Sequence, residues 1–284
     1  MDNLNPLLDR RGFLMTAVGS AAIAGAAGAG AMKKVLGAKR TMRGPDNQPR
    51  IVSLELLTSA PLPKMRDFYH TSLGLPVLAE QADRLTIGAG ASRLTFVRAD
   101  NGHDKPFYHF AFNIPENKIV SARGWQLRRT PLISIPERLR DARYPDDVVN
   151  YSHWNAHSIF FLDPGGNVVE YIARHDLKNA EKGEFASSDI LYVSEIGLIV
   201  DDVPGVAAKL HESFGVSPYR GESEMFTAMG DELGLLLVMK LGRILNFHPE
   251  DTSKAARVYR TVASIRGAAH KKHLVNGFPY EVTT

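Results

Sequence analysis

The chain of 284 residues carries 34 lysines and arginines against 31 aspartates and glutamates, a formal charge of +3, with 44% hydrophobic and 23% charged residues. This ordinary globular composition excludes a disordered, collagen-like or multi-span membrane chain, and so small a charge does not mark a nucleic-acid partner. Cysteine is absent, which excludes disulfides, thiolate metal sites and cysteine nucleophiles, so any metal must rest on His, Asp, Glu or backbone oxygen.

Residues 1–31 read as an address rather than a fold. Asp9-Arg10-Arg11-Gly12-Phe13-Leu14 leads into a weakly apolar, Ala- and Gly-rich stretch from Met15 to Ala31. A twin arginine before such a segment is the pattern of a twin-arginine export signal, and Ala29-Gly30-Ala31 supplies its small-residue cleavage site. The expectation is a periplasmic or exported protein that meets the twin-arginine translocase, with a single membrane anchor as the competing reading. Residues 32–50 are basic and turn-rich (Lys33, Lys34, Lys39, Arg40, Pro45, Pro49), as in a flexible spacer.

From Ile51 onward the pattern is strand, helix, then several strands, and it recurs. Ile51–Leu57 is an apolar strand, and Pro63–Leu73 has Met65, Phe68, Tyr69 and Leu73 at helical spacing before Gly74, a C-terminal stop. Val77–Glu80, Arg84–Ile87 and Arg93–Val97 read as strands divided by Gly and Asp turns. A second unit opens with the alternating strand Phe107–Ile114 and a helix from about Glu116 to Arg128. It closes with Ser158–Phe161, the turn Asp163-Pro164-Gly165-Gly166-Asn167, and the strand Val168–Ile172. A third opens at Val193–Val200, continues with a helix from Val203 to Phe214, and closes with Met225–Met229 and Leu235–Met239. Asp67-Phe68-Tyr69…Leu73-Gly74-Leu75 matches Lys209-Leu210-His211…Phe214-Gly215-Val216 at a near-constant offset, the mark of an internal repeat.

The organisation expected is α+β: paired βαβββ modules over 51–174 closing into a half-open barrel, a linker over 175–192, a third module over 193–243 and a tail over 244–284. The tail carries one amphipathic helical candidate, Thr252–Ile265. No glycine-rich phosphate loop, nucleophile elbow or basic–aromatic nucleic-acid stripe is present, which removes those classes.

The run Tyr108-His109-Phe110-Ala111-Phe112, followed by Ser158-Ile159-Phe160-Phe161-Leu162-Asp163-Pro164-Gly165-Gly166-Asn167-Val168-Val169-Glu170, resembles the vicinal oxygen chelate superfamily. That group includes glyoxalases, extradiol dioxygenases, and fosfomycin and bleomycin resistance proteins. The resemblance covers about residues 50–240, and the Asp-Pro-Gly-Gly-Asn turn with Glu170 three residues on is its most specific piece. It implies a U-shaped half-barrel holding one divalent metal, with ligands from the first strand of each unit and the last strand of one or both. The reaction is not fixed by it, because one fold hosts many chemistries.

His109 and Glu170 occupy two of those ligand places. Strand alternation puts His109 on the face of Phe107 and Ala111, and Glu170 on the face of Val168 and Ile172. Imidazole and carboxylate facing one cavity suit iron, manganese or zinc, and a carboxylate in an apolar strand needs a partner. Ser53 and Thr95 stand at the other two places, so Glu55, two residues beyond Ser53, is the candidate third ligand. His153 is the candidate general acid or base, with Phe107, Trp154 and His157 as substrate contacts. Glu195 sits at the ligand place of the third unit, but Leu236 and Leu237 offer it no companion donor, which favours a structural or pairing role.

Two functional readings follow. One is an exported metal-dependent enzyme acting on a small vicinal-oxygen substrate, catechol- or diketone-like, with ring-cleaving dioxygenase-like chemistry favoured over isomerase or lyase chemistry. The other is a metal-free cleft that sequesters a small hydrophobic compound, as in bleomycin-binding relatives. An unpaired third unit would expose apolar sheet surface, so a homodimer is expected under either reading.

Overall fold

Strand β1 (Ile51–Thr58) is the first element among the described residues, with Ile51, Leu54 and Leu56 turned inward. The computed structural model describes residues 50–99, 105–266, 272–275 and 277–284. The export signal and the spacer expected over residues 1–49 lie outside the described residues.

Unit one follows the expected order. Helix α1 (Leu62–Arg66) continues as a wider π-helical turn over Asp67–Ser72. It ends at Gly74, whose φ of +71° is the left-handed stop that glycine takes without strain. Strands β2 (Val77–Glu80), β3 (Arg84–Ala89) and β4 (Ser92–Arg98) complete it. Unit two comprises β5 (His109–Ile114), α2 (Ile119–Leu127), β6 (Val149–Tyr151), β7 (Ala156–Leu162) and β8 (Val168–Arg174). Unit three comprises β9 (Tyr192–Val200), α3 (Val203–Phe214), β10 (Phe226–Asp231) and β11 (Gly234–Lys240). Asp202 caps α3 by accepting from the Gly205 amide at 3.0 Å. The strand that unit three lacks is reduced to a single bridge between Pro218 and Met229.

The expected α+β class and βαβββ units are present, and two units do pair into one curled sheet. They are units two and three, not one and two: the strand order is β10-β11-β9-β5-β8-β7-β6, with β5 antiparallel to β9. Unit one is paired instead by the tail. Strands β12 (Thr261–Ile265), β13 (Lys272–Leu274) and β14 (Tyr280–Thr283) extend its sheet in the order β13-β14-β12-β1-β4-β3-β2. The expected helix Thr252–Ile265 is therefore a single 3-10 turn, Thr252–Lys254, followed by a strand. In Thr261–Ile265 the inward residues fall at every second position, and that period 2 wins once β1 offers an open edge. The argument for a homodimer rested on an unpartnered third unit, and here that unit is partnered within the chain.

Each sheet contributes a tyrosine that ties it to the other. The Tyr108 hydroxyl accepts from the Leu57 amide and donates to the Arg260 carbonyl. The Tyr280 hydroxyl does the same with the amide and carbonyl of Ile199. One face of the second sheet (Phe110, Phe112, Tyr171, Ile196) joins the main core with the helices and the first sheet. The opposite face (Ala111, Phe160, Ile172, Leu235, Leu237) forms a separate cluster beneath Ile135, Leu139, Leu245 and Phe247. Among the described residues no helix is long and apolar enough to cross a membrane.

Candidate metal centre

The turn Asp163–Asn167 sets the register that builds the site. The Asp163 carboxylate accepts from the Asn167 amide (2.9 Å), the Asn167 side-chain NH2 (2.7 Å) and the Tyr69 hydroxyl (2.7 Å). Gly166 sits at φ +80° to close the loop. The Asn167 side-chain oxygen then accepts from the Tyr108 amide at 2.8 Å, and the Val168 amide donates to the Tyr108 carbonyl at 2.8 Å. Those bonds fix His109 opposite Val168 and Ala111 opposite Glu170.

On the other side of β5, Ala111 also faces Glu195 of β9. Glu170, Ala111 and Glu195 thus form one row across three strands, with His109 two residues before Ala111 on the same face. Alanine at the middle of the row leaves the space above it to its neighbours. His109 Nε2 lies 3.4 Å from Glu170 Oε2 and 3.9 Å from Glu195 Oε2. One donor atom from each of the three residues lies within 4.8 Å of the others. The relative exposures are 8%, 1% and 1%, so water does little to screen this cluster.

The electrostatics follow from that burial. Burial pulls the His109 imidazole down, but the bond to Glu170 and the charges of Glu170 and Glu195 outweigh it and raise the ring above its ordinary value. Burial and the charge of Glu170 push Glu195 up to about 7, against the opposing pull of Arg174 and His109. Arg174, itself only 1% exposed, reaches from β8 across β5 to bond Glu195 Oε1. Tyr151 lies close enough to feel both carboxylates, and burial first, then their charges, holds its hydroxyl well above the usual range.

The donor set fits a divalent metal. Metal bonds of about 2.0–2.2 Å place neighbouring donors roughly 3 Å apart, close to the spacing of His109 and Glu170. Glu170 Oε1 is buried without a hydrogen-bond partner, a costly state for a carboxylate oxygen that a cation would relieve. His109 Nδ1 lies 3.0 Å from the Val168 carbonyl; donating its proton there leaves Nε2, the nitrogen facing the carboxylates, with its lone pair free.

The structure brings together only part of the residue set read from the sequence. His109 and Glu170 meet. Glu55 lies in the other sheet, paired with Arg260 at 2.7 Å and Arg84 at 3.6 Å. His153 stands exposed on the turn Ser152–Trp154, its ring 5.4 Å from that of Trp154. His157 occupies the alternate face of β7 from Phe160, stacked on Tyr144 at 4.0 Å and bonded to His175 and Asp141. Trp154 does line the interior of the curled sheet, 5.6 Å from the Arg174 guanidinium. Phe107 lines a narrow pocket beside His109, together with Gly197, Leu245, Tyr259 and Tyr280. Arg174 has no role in the sequence reading, and Glu195, read there as structural or pairing, joins His109 and Glu170 in the cluster. The ligand place of Glu195 was readable, but its companion donors come from unit two, which the expected pairing assigned elsewhere.

No family model matches this sequence, and no curated protein does. Solved structures similar in fold include a protein assigned as a dioxygenase from Bacillus subtilis, with 16% identity, 76% of this chain and 71% of that one covered, and a TM-score of 0.49. A glyoxalase I variant from Zea mays has 14% identity, with 83% and 92% covered and a TM-score of 0.48. A glyoxalase/bleomycin resistance protein/dioxygenase from Nocardioides has 21% identity, with 48% and 87% covered and a TM-score of 0.33. At these identities the likeness is one of fold.

Proposed function

We propose that this chain is an exported, metal-dependent enzyme of the vicinal oxygen chelate type, acting on a small substrate that presents two adjacent oxygens. The observation that carries the reading is the buried row of His109, Glu170 and Glu195, with Glu170 Oε1 unpartnered. A bound divalent metal would supply Lewis acidity, stabilising negative charge on the substrate's oxygens by several kcal/mol. His109 Nε2 and one oxygen from each glutamate would hold it. Val168 keeps His109 in the ligating tautomer, and Arg174 keeps Glu195 Oε1 occupied so that Oε2 faces inward. Phe107 and Trp154 supply aromatic walls, and the Tyr151 hydroxyl retains its proton for donation. Ring-cleaving dioxygenase-like chemistry on a catechol is the first class to assay, on the strength of the resemblance carried by the Asp163–Asn167 turn and Glu170. The export assignment rests on the Arg10-Arg11 segment and is checked by fractionation of cells expressing wild type and Arg10→Lys/Arg11→Lys.

A second reading has its own observation. Protonated His109 and Arg174 together balance the two glutamates, so the cluster is also electrically complete as a metal-free, structural core of a binding protein. Elemental mass spectrometry on natively purified wild type, His109→Ala and Glu195→Gln separates the two. Near-stoichiometric iron, manganese or zinc, lost in both variants, supports the enzyme; absence of metal from wild type overturns it.

A further inference from the structure

We infer that the site takes its vicinal-oxygen ligand as an anion, so that acids such as 2-oxocarboxylates are preferred over neutral diketones of the same shape. The inference rests on the metal reading above and deepens it. A site of one neutral histidine and two carboxylates around a divalent ion would carry no net charge. This one contains a third element, the guanidinium of Arg174, which is 1% exposed and cannot be neutralised by losing its proton. With metal in place and His109 deprotonated to ligate it, the row and Arg174 together hold one positive charge in surplus.

The charged groups around it do not cancel that surplus: Arg243 shares Tyr151 with Arg174, Arg257 lines the pocket beside His109, and Glu232, the acid that bonds Tyr219, is paired with Arg220. The side chains sharing the inward face of β5, β7 and β8 near Arg174 are Asn113, Ser158, Ala156 and Ile172, none of them acidic. Arg174 spends one nitrogen on Glu195, while its Nε and Nη1 are buried without partners. Both side-chain atoms of Asn113 and the hydroxyl of Ser158 are likewise buried and unpartnered. A run of unsatisfied polar atoms beside a surplus positive charge is an interior that favours an anionic, oxygen-rich guest. Charges several ångströms apart in such a weakly screening medium still interact strongly enough to set the charge state of what binds.

The test compares pyruvate with butanedione, which share adjacent oxygens and differ in charge, by titration calorimetry on zinc-loaded protein with zinc content measured in each sample. Wild type is expected to bind pyruvate at least about tenfold tighter than butanedione. Arg174→Lys keeps the charge and should keep the ratio. Arg174→Met removes it and should collapse the ratio. Asn113→Asp is nearly isosteric, keeps both Arg174 and Glu195, and should lower the ratio severalfold by offsetting the Arg174 charge. It decides the matter if Arg174→Met does not fold. An unchanged ratio in zinc-loaded Asn113→Asp would overturn the anion preference alone. Failure of wild type to retain zinc or any other metal would overturn the metal reading and this inference with it.

Discussion

Asn167 accepts a hydrogen bond from the backbone amide of Tyr108 at 2.8 Å, and through it the Asp-Pro-Gly-Gly-Asn turn places the neighbouring residue, His109. The same side chain donates to Asp163 at 2.7 Å. Both groups are buried, so Asn167→Ala would leave the Tyr108 amide and an Asp163 oxygen short of a partner. We expect a loss of about 2–4 kcal/mol in urea unfolding, with a weaker metal affinity because the β5–β8 register is no longer pinned. Asn167→Asp should not rescue it, since a second carboxylate would face Asp163.

The Arg174–Glu195 pair separates stability from metal binding. Removing one partner strands a buried charge, and Glu195→Ala or Arg174→Ala should each cost about 3–5 kcal/mol. The double substitution Arg174→Met/Glu195→Leu removes both charges and should recover much of that loss in denaturant unfolding. Its metal content should stay near zero, because only two of the three donors remain. A double variant that binds metal as wild type does would remove Glu195 from the ligand set.

Stability should depend on pH in opposite senses with and without metal. Glu195 is raised to about 7, and His109 is raised above its ordinary value. A folded pKa above the unfolded one contributes stability at low pH that is lost as pH rises through the folded value. Metal-free protein should therefore lose stability as pH climbs through about 7. Saturating zinc should reverse the trend, since ligation needs both groups deprotonated. Urea midpoints from about pH 5.5 to about pH 8, with and without zinc, check this.

Glu55 and His153 serve as contrasts. Glu55 is paired with Arg260 and Arg84 in the other sheet, and both arginines are partly exposed. Glu55→Gln should cost no more than about 1 kcal/mol and leave metal content at the wild-type level. His153→Ala, on the exposed turn, should do the same. Loss of metal in either variant would mean that the centre extends beyond the row on β5, β8 and β9.

Much of this arrangement could be read from local residues. Gly74 and Gly215 stop their helices, Asp202 opens α3, and alternation in β5 and β8 puts His109 and Glu170 on one face. What could not be read was which units share a sheet. Pairing of β5 with β9 is decided by how two whole surfaces fit, and no residue within either strand announces its neighbour. The error at Thr252–Ile265 has a related cause. Val258, Val262 and Ile265 permit a helical stripe, and only the free edge of β1 selects the strand. Glu195 was correctly placed on its strand yet stripped of companions by the wrong pairing, and Arg174 fell at a presumed linker boundary.

The sheets are nested: the inner one is built from a continuous stretch between His109 and Lys240, while the outer one needs Ile51 to meet Ile265. Contacts of the inner sheet close over shorter sequence distances than the seam that joins β1 to β12. On a growing chain, the half that carries His109, Glu170 and Glu195 can assemble while the outer seam is still waiting for its last strands. Closure of that seam brings Tyr280 onto Ile199 and sets Tyr259 and Tyr280 into the pocket wall beside His109. The tail thus acts as a clasp: the last part of the chain to be made fastens the outer seam and completes the pocket wall beside His109.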